Sequence, residues 1–182
     1  MKNIYWWIIS YLILALDFLL GIYFNISING LIPTHFDLTG KPTTYSKPTL
    51  LYWMMIPLIH LSILVLFTII YYYRWTLISK YPYLINIPAF MMMNGRVDKS
   101  KKKYYVDKIY SILSFIGIYI GVLMVFIETA MGYPFIIEYY GTIFTLGMIV
   151  FTIIPIIGII WYYRRIYTEY KEEYPVDANT DR

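Results

Sequence analysis

The sequence predicts an all-α membrane protein, with four transmembrane helices in an antiparallel bundle and both termini in the cytoplasm. Three observations carry this. Hydrophobic residues make up 59% of the 182-residue chain and charged residues 14%, against about 45–50% and about 25% in soluble domains. Four apolar stretches each reach the roughly 20 residues that a helix needs to cross a bilayer. Of the fifteen Lys and Arg residues, only Lys41 and Lys47 fall on one side of the resulting arrangement.

The first span covers about residues 4–28. Its apolar run is too long, its basic leader (Lys2 alone) too weak and its end too poor in small residues for a cleaved signal peptide, so it reads as an anchor. An outer loop follows over 29–48. The second span covers about 49–73, and Pro48 before it suits a helix start, where a missing N–H costs nothing. The connection 74–104 is basic, with Arg74, Lys80, Arg96, Lys99, Lys101, Lys102 and Lys103. Within it, "LINIPAFMMMNG" is apolar but too short to cross. It reads as an interfacial segment on the cytoplasmic side, either covering lipid or docking a partner through its methionines. The third span covers about 105–127 and the fourth about 139–163. A second outer loop around Glu128–Glu138 lacks basic residues. Residues 1–168 form a single transmembrane domain, and 169–182 a polar cytoplasmic tail. None of the four stretches alternates with period two, which favours helices over barrel strands.

The positive-inside rule then sets the orientation: basic residues mark the cytoplasmic face of a cell-membrane protein. The clusters "YWW", "YYYRW" and "WYYRR" fall at span ends, where amphipathic rings sit at the headgroup layer. The partner this implies is the lipid bilayer, with a peptide or another membrane protein as the further candidate and no nucleic acid. The chain has no cysteine, which excludes disulfides, zinc–thiolate sites and thiol catalysis. No P-loop, zinc-protease motif or placed Ser–His–Asp set is present. With two histidines in different compartments, enzymatic activity is not expected, and neither is a cofactor.

The outer loop "LIPTHFDLTGKPTTYSKPT" is unusually specific for so apolar a chain. Pro33, Pro42 and Pro48 each fix φ. Gly40 permits a turn, and Asp37 and Thr39 can bond local backbone. Together they describe a compact cap. His35 and Asp37 with Glu128 or Glu138 offer a metal set only on a common His-x-Asp spacing, so no metal is expected. The order of Pro33, His35, Phe36, Gly40, Pro42, Tyr45, Ser46 and Lys47 after a first helix resembles the uncharacterised membrane domain of SdpI-like toxin-immunity proteins. The detailed match covers about residues 31–49. Thr43 and Thr44 stand where members often carry an acidic residue. The resemblance implies immunity to, or sensing of, an envelope-active agent.

A second candidate lies inside the membrane. Asp17 and His60 are each eleven residues from the outer end of their spans, roughly 16 Å deep at 1.5 Å per residue. Helices joined by a short loop pack as antiparallel neighbours, so the two side chains can meet. An ionised Asp alone at that depth costs several kcal/mol and calls for a proton or a partner. Histidine titrates near neutral pH, which makes the pair a proton-accepting unit. Pro57 frees the Trp53 carbonyl as a further acceptor, and Tyr119 and Thr152 could complete the cluster. The competing role is structural, since interhelical hydrogen bonds in membranes contribute about 0.6 kcal/mol on average. Ser111, Ser114, Gly117 and Gly121 form a small-residue stripe that lets another helix approach. Three functions follow: an envelope-facing binding or immunity module, a small proton-linked transporter or channel, and an accessory subunit of a larger membrane complex.

Overall fold

The computed structural model describes residues 4–37, 41–81, 98–133 and 135–174. In chain order these form α1 (Ile4–Ser27), β1 (Ile32–Phe36), β2 (Pro42–Ser46), α2 (Leu50–Lys80), α3 (Lys99–Tyr110), α4 (Ile112–Gly132) and α5 (Phe135–Glu173). Ser111, between α3 and α4, keeps right-handed helical dihedrals of φ −62° and ψ −23°. The chain therefore stays helical through it, and Lys101–Gly132 counts as one span. Among the described residues, four helices are long and apolar enough to cross a membrane: Ile4–Ser27, Leu50–Lys80, Lys101–Gly132 and Gly141–Glu173. Gly40, the apolar 84–95 segment and the tail from 175 lie outside the described residues.

The chain is mostly helical with four helices of spanning length, as expected, and the loop over 29–48 adds a small hairpin. β1 and β2 pair antiparallel, with Ile32 opposite Ser46, Pro33 opposite Tyr45, His35 opposite Thr44 and Phe36 opposite Pro42. The register is irregular on both sides of His35. Proline cannot donate to a ladder, but in a two-stranded ribbon each strand has a free edge on which that loss is tolerated. The connection is closed at its base by two bonds. Asp37 N–H donates to the Lys41 carbonyl, and Lys41 N–H donates to Asp37 Oδ1, both at 2.9 Å.

The described residues divide into two compact units, Met1–Phe67 with Ser114–Pro155, and Thr68–Leu113 with Ile156–Arg182. In the first, the buried positions of α1 are Ser10, Leu14, Asp17, Gly21 and Phe24. They alternate by four and three residues, the spacing of a seam between packed helices. Trp53, Pro57, His60 and Leu64 repeat the same spacing on α2. Phe24, Trp53 and Ile32 of β1 form one buried cluster, so the hairpin is seated on the ends of α1 and α2.

The second unit is built on tyrosines and ion pairs. Tyr105, Val106, Ile109 and Tyr110 pack with Ile78, Ile166 and Tyr170. Arg74 Nε donates to Asp107 Oδ1 at 2.8 Å, and Arg74 Nη1 to the Tyr71 carbonyl at 2.6 Å. Tyr105 donates its hydroxyl to Glu173 at 2.6 Å, and Lys101 also pairs with Glu173. Ser111 belongs to this unit. Its hydroxyl donates to the Lys108 carbonyl.

Candidate functional site

The site is assembled in the first unit from α1, α2 and α4. Three glycine and serine positions of α4 set how closely the helices approach. Ser10 Oγ lies 3.3 Å from the Ser114 carbonyl. A Cβ on Gly117 would meet Leu64 Cδ2 at 2.9 Å and Ser10 Oγ at 3.2 Å. One on Gly121 would meet His60 Cε1, His60 Nε2 and Ile13 Cγ2, each at 2.9 Å. The part of the stripe formed by Ser114, Gly117 and Gly121 thus packs against α1 and α2 of the same chain. Van der Waals packing of this kind is what holds helices together in lipid, where burial of apolar surface offers no net drive.

Asp17 and His60 meet in this seam. Asp17 Oδ2 lies 3.0 Å from His60 Nδ1, and both side chains are fully buried. Among the described residues, Asp17 Oδ1 and His60 Nε2 find no hydrogen-bond partner. Nδ1 donates to Asp17 when the carboxyl is ionised and can accept from it when the carboxyl is protonated and the ring hydrogen is on Nε2. Breaking such a buried pair by removing one partner costs about 3–5 kcal/mol, because the other charge is left uncompensated.

Glu128 joins the pair, and here the sequence expectation is corrected. The second outer loop was to begin at this residue; instead it lies within α4 and is fully buried. It interacts directly with Asp17. While both carboxyls are ionised, each is only an acceptor, and both Glu128 oxygens are left without a hydrogen bond. The contact becomes a hydrogen bond when one of the two carries a proton. Gly21 makes the room. A Cβ there would stand 2.8 Å from Glu128 Oε1 and 2.9 Å from the Trp53 carbonyl oxygen. Pro57, lying inside α2, removes the N–H that would otherwise occupy that carbonyl.

Two other expected members are elsewhere. Thr152 bonds the Met148 carbonyl of its own helix at 2.7 Å. Tyr119 donates to the Phe151 carbonyl, its ring stacked on Phe151 at 4.3 Å. Neither completes the Asp17–His60 cluster, because each satisfies a backbone acceptor within reach of its own hydroxyl.

The outer-loop residues are placed by the hairpin. Pro33 is buried and Phe36 and Pro42 half-buried, whereas His35, Ser46 and Lys47 are exposed. His35 and Glu128 therefore do not combine: one is on the exposed face of a strand, the other sealed among helices. Among the described residues, no three His, Asp or Glu side chains are arranged to hold a metal ion.

The chain is similar to an uncharacterised protein of Archaeoglobus fulgidus, with 32% identity over 77 residues. The match covers 42% of this chain and 41% of that protein, so it spans well under half of the relative's length. No family model matches the chain. No solved structure matches it.

Proposed function

We propose that this chain is a multi-pass protein of the cell membrane that moves protons, a small proton-linked transporter or channel working through Asp17 and His60. The observation that carries the reading is the fully buried Asp17–His60 contact at 3.0 Å. A carboxyl and an imidazole facing each other inside a membrane can exchange a proton between them. Ionisable residues within spans are costly and mark proton and ion pathways. The basic residues of 74–108 and of the C-terminal segment support a frame with both termini in the cytoplasm and the hairpin outside. The test is proton flux into liposomes loaded with a pH-sensitive dye, under an imposed pH gradient. The wild-type protein is expected to dissipate the gradient, and Asp17→Asn and His60→Ala to lose that activity. Wild-type flux in Asp17→Asn refutes the reading.

The hairpin supports a second reading, recognition of an envelope-active agent as in the SdpI-like immunity proteins. It presents His35, Tyr45 and Lys47 to the exterior on a framework held by Pro33 and Ile32. In this case the double change His35→Ala, Phe36→Ala abolishes protection of cells, while Asp17→Asn leaves it intact. Stable co-purification with another membrane protein, with neither activity in the isolated chain, marks an accessory subunit instead.

A further inference from the structure

We propose that Glu128, Asp17 and His60 form a proton relay, in that order, running inward from the hairpin end of the helices, with Glu128 protonated at rest. The inference rests on the proton-moving reading above and assigns it a route and a first member.

The order follows from the packing. Gly21 of α1 lies at the level of Glu128, since its Cβ position is 2.8 Å from Glu128 Oε1. Ile13 of α1 lies at the level of His60, since both stand 2.9 Å from the Cβ position of Gly121. Asp17 is midway between Ile13 and Gly21, four residues from each. On α4, Gly121 and Glu128 are seven residues apart, so the relay extends over roughly 10 Å of helix axis at 1.5 Å per residue. The hairpin end is fixed by Gly132, one turn beyond Glu128. Its Cβ position lies against the Phe24 ring, and Phe24 packs with Ile32 of β1.

Hydrogen-bond accounting sets the resting state. Asp17 Oδ2 is occupied by His60, while among the described residues Asp17 Oδ1 and both Glu128 oxygens find no hydrogen-bond donor. A single proton on Glu128, donated to Asp17, removes the mutual repulsion and gives Oδ1 its missing donor. Among the described residues no Lys or Arg is buried, so none of them supplies a fixed cation there. The transfer conserves charge at each step. The Glu128 O–H bond breaks and the proton passes to Asp17, leaving Glu128 ionised and Asp17 neutral. The imidazole, in the tautomer whose hydrogen sits on Nε2, then accepts that proton at Nδ1: the Asp17 O–H bond breaks, an Nδ1–H bond forms, and an imidazolium faces the restored Asp17 carboxylate.

Two measurements test the relay. Infrared difference spectra of the detergent-solubilised protein are expected to show a protonated-carboxyl C=O stretch that disappears in Glu128→Gln, which keeps a donor toward Asp17 but has no proton to release. In liposomes, Glu128→Gln is expected to lower proton flux at least tenfold with its thermal unfolding unchanged. Persistence of the carboxyl band in Glu128→Gln, or wild-type flux in that variant, overturns the relay and leaves the Asp17–His60 reading standing. Absence of flux from the wild-type protein itself overturns the underlying reading, and the relay with it.

Discussion

Replacing Gly21 with alanine probes the seam on which the site depends. The new Cβ would stand 2.6 Å from Met54 Cε, 2.8 Å from Glu128 Oε1 and 2.9 Å from the Trp53 carbonyl oxygen. The first two are ends of flexible side chains and can swing aside. The third is backbone and moves only with α2. Ordinary contact begins at 3.4 Å, so α1 and α2 must separate by about 0.5 Å along that line. Overpacking of this size costs about 1–3 kcal/mol, against a gain of up to about 1 kcal/mol for replacing glycine within a helix. The expected net loss against wild type is up to about 2 kcal/mol, and against controls that keep the helical gain about 1–3 kcal/mol, a roughly five-fold or larger fall in the folded-to-unfolded ratio. Gly147→Ala and Gly158→Ala are matched controls, because a Cβ at either position meets nothing within 4 Å. They keep the helical gain without the steric cost. Reversible unfolding of the three variants in detergent, followed by circular dichroism, makes the comparison. A Gly21→Ala protein as stable as the two controls refutes the close approach of α1 to α2 and α4.

Three further outcomes are expected. A double-mutant cycle on Arg74→Ala and Asp107→Ala should return a coupling of about 1 kcal/mol, modest because the side chains are 17% and 35% exposed and solvent screens the pair; chemical denaturation of the four proteins measures it. Asp37→Ala removes the acceptor for the Lys41 amide and should speed hydrogen exchange of that amide several-fold, as loss of about 1 kcal/mol of local hydrogen bonding requires. The chain has no cysteine, so Lys47→Cys and Lys103→Cys report topology cleanly: a membrane-impermeant thiol reagent applied to intact cells should label the first and spare the second.

The helices were legible because hydropathy alone dictates them. A run such as Ile4–Ser27 has no soluble alternative, and its length matches the bilayer. The hairpin was less so. In the sequence Pro33 and Pro42 point to a stiffened loop, since proline ordinarily argues against a strand. In a ribbon of two strands the missing donors fall on the free edges, and Thr43, Thr44 and Tyr45 supply the strand preference. The 31-residue length of α2 was hidden by Tyr71, Tyr72, Tyr73 and Arg74, which end the apolar run without ending the helix. Tyrosine and arginine are tolerated there because Arg74 finds the Tyr71 carbonyl and Asp107.

Asp17 and His60 were legible as a pair because equal depth on consecutive helices is a statement about geometry, and geometry survives ignorance of the packing. Glu128 was missed because a hydropathy window treats a carboxylate as the end of a span. The signal lay in its phase. Ser114, Gly121 and Glu128 are seven residues apart in succession, so Glu128 falls on the stripe that Ser114, Gly117 and Gly121 define. That stripe is where α1 and α2 sit against α4. A carboxyl placed on it faces other helices rather than lipid or water, and must find its partner there. Gly21 is the complement on α1: the position four residues from Asp17, on the same face, where the absence of a side chain leaves Glu128 a seat beside the one carboxylate that can share its proton.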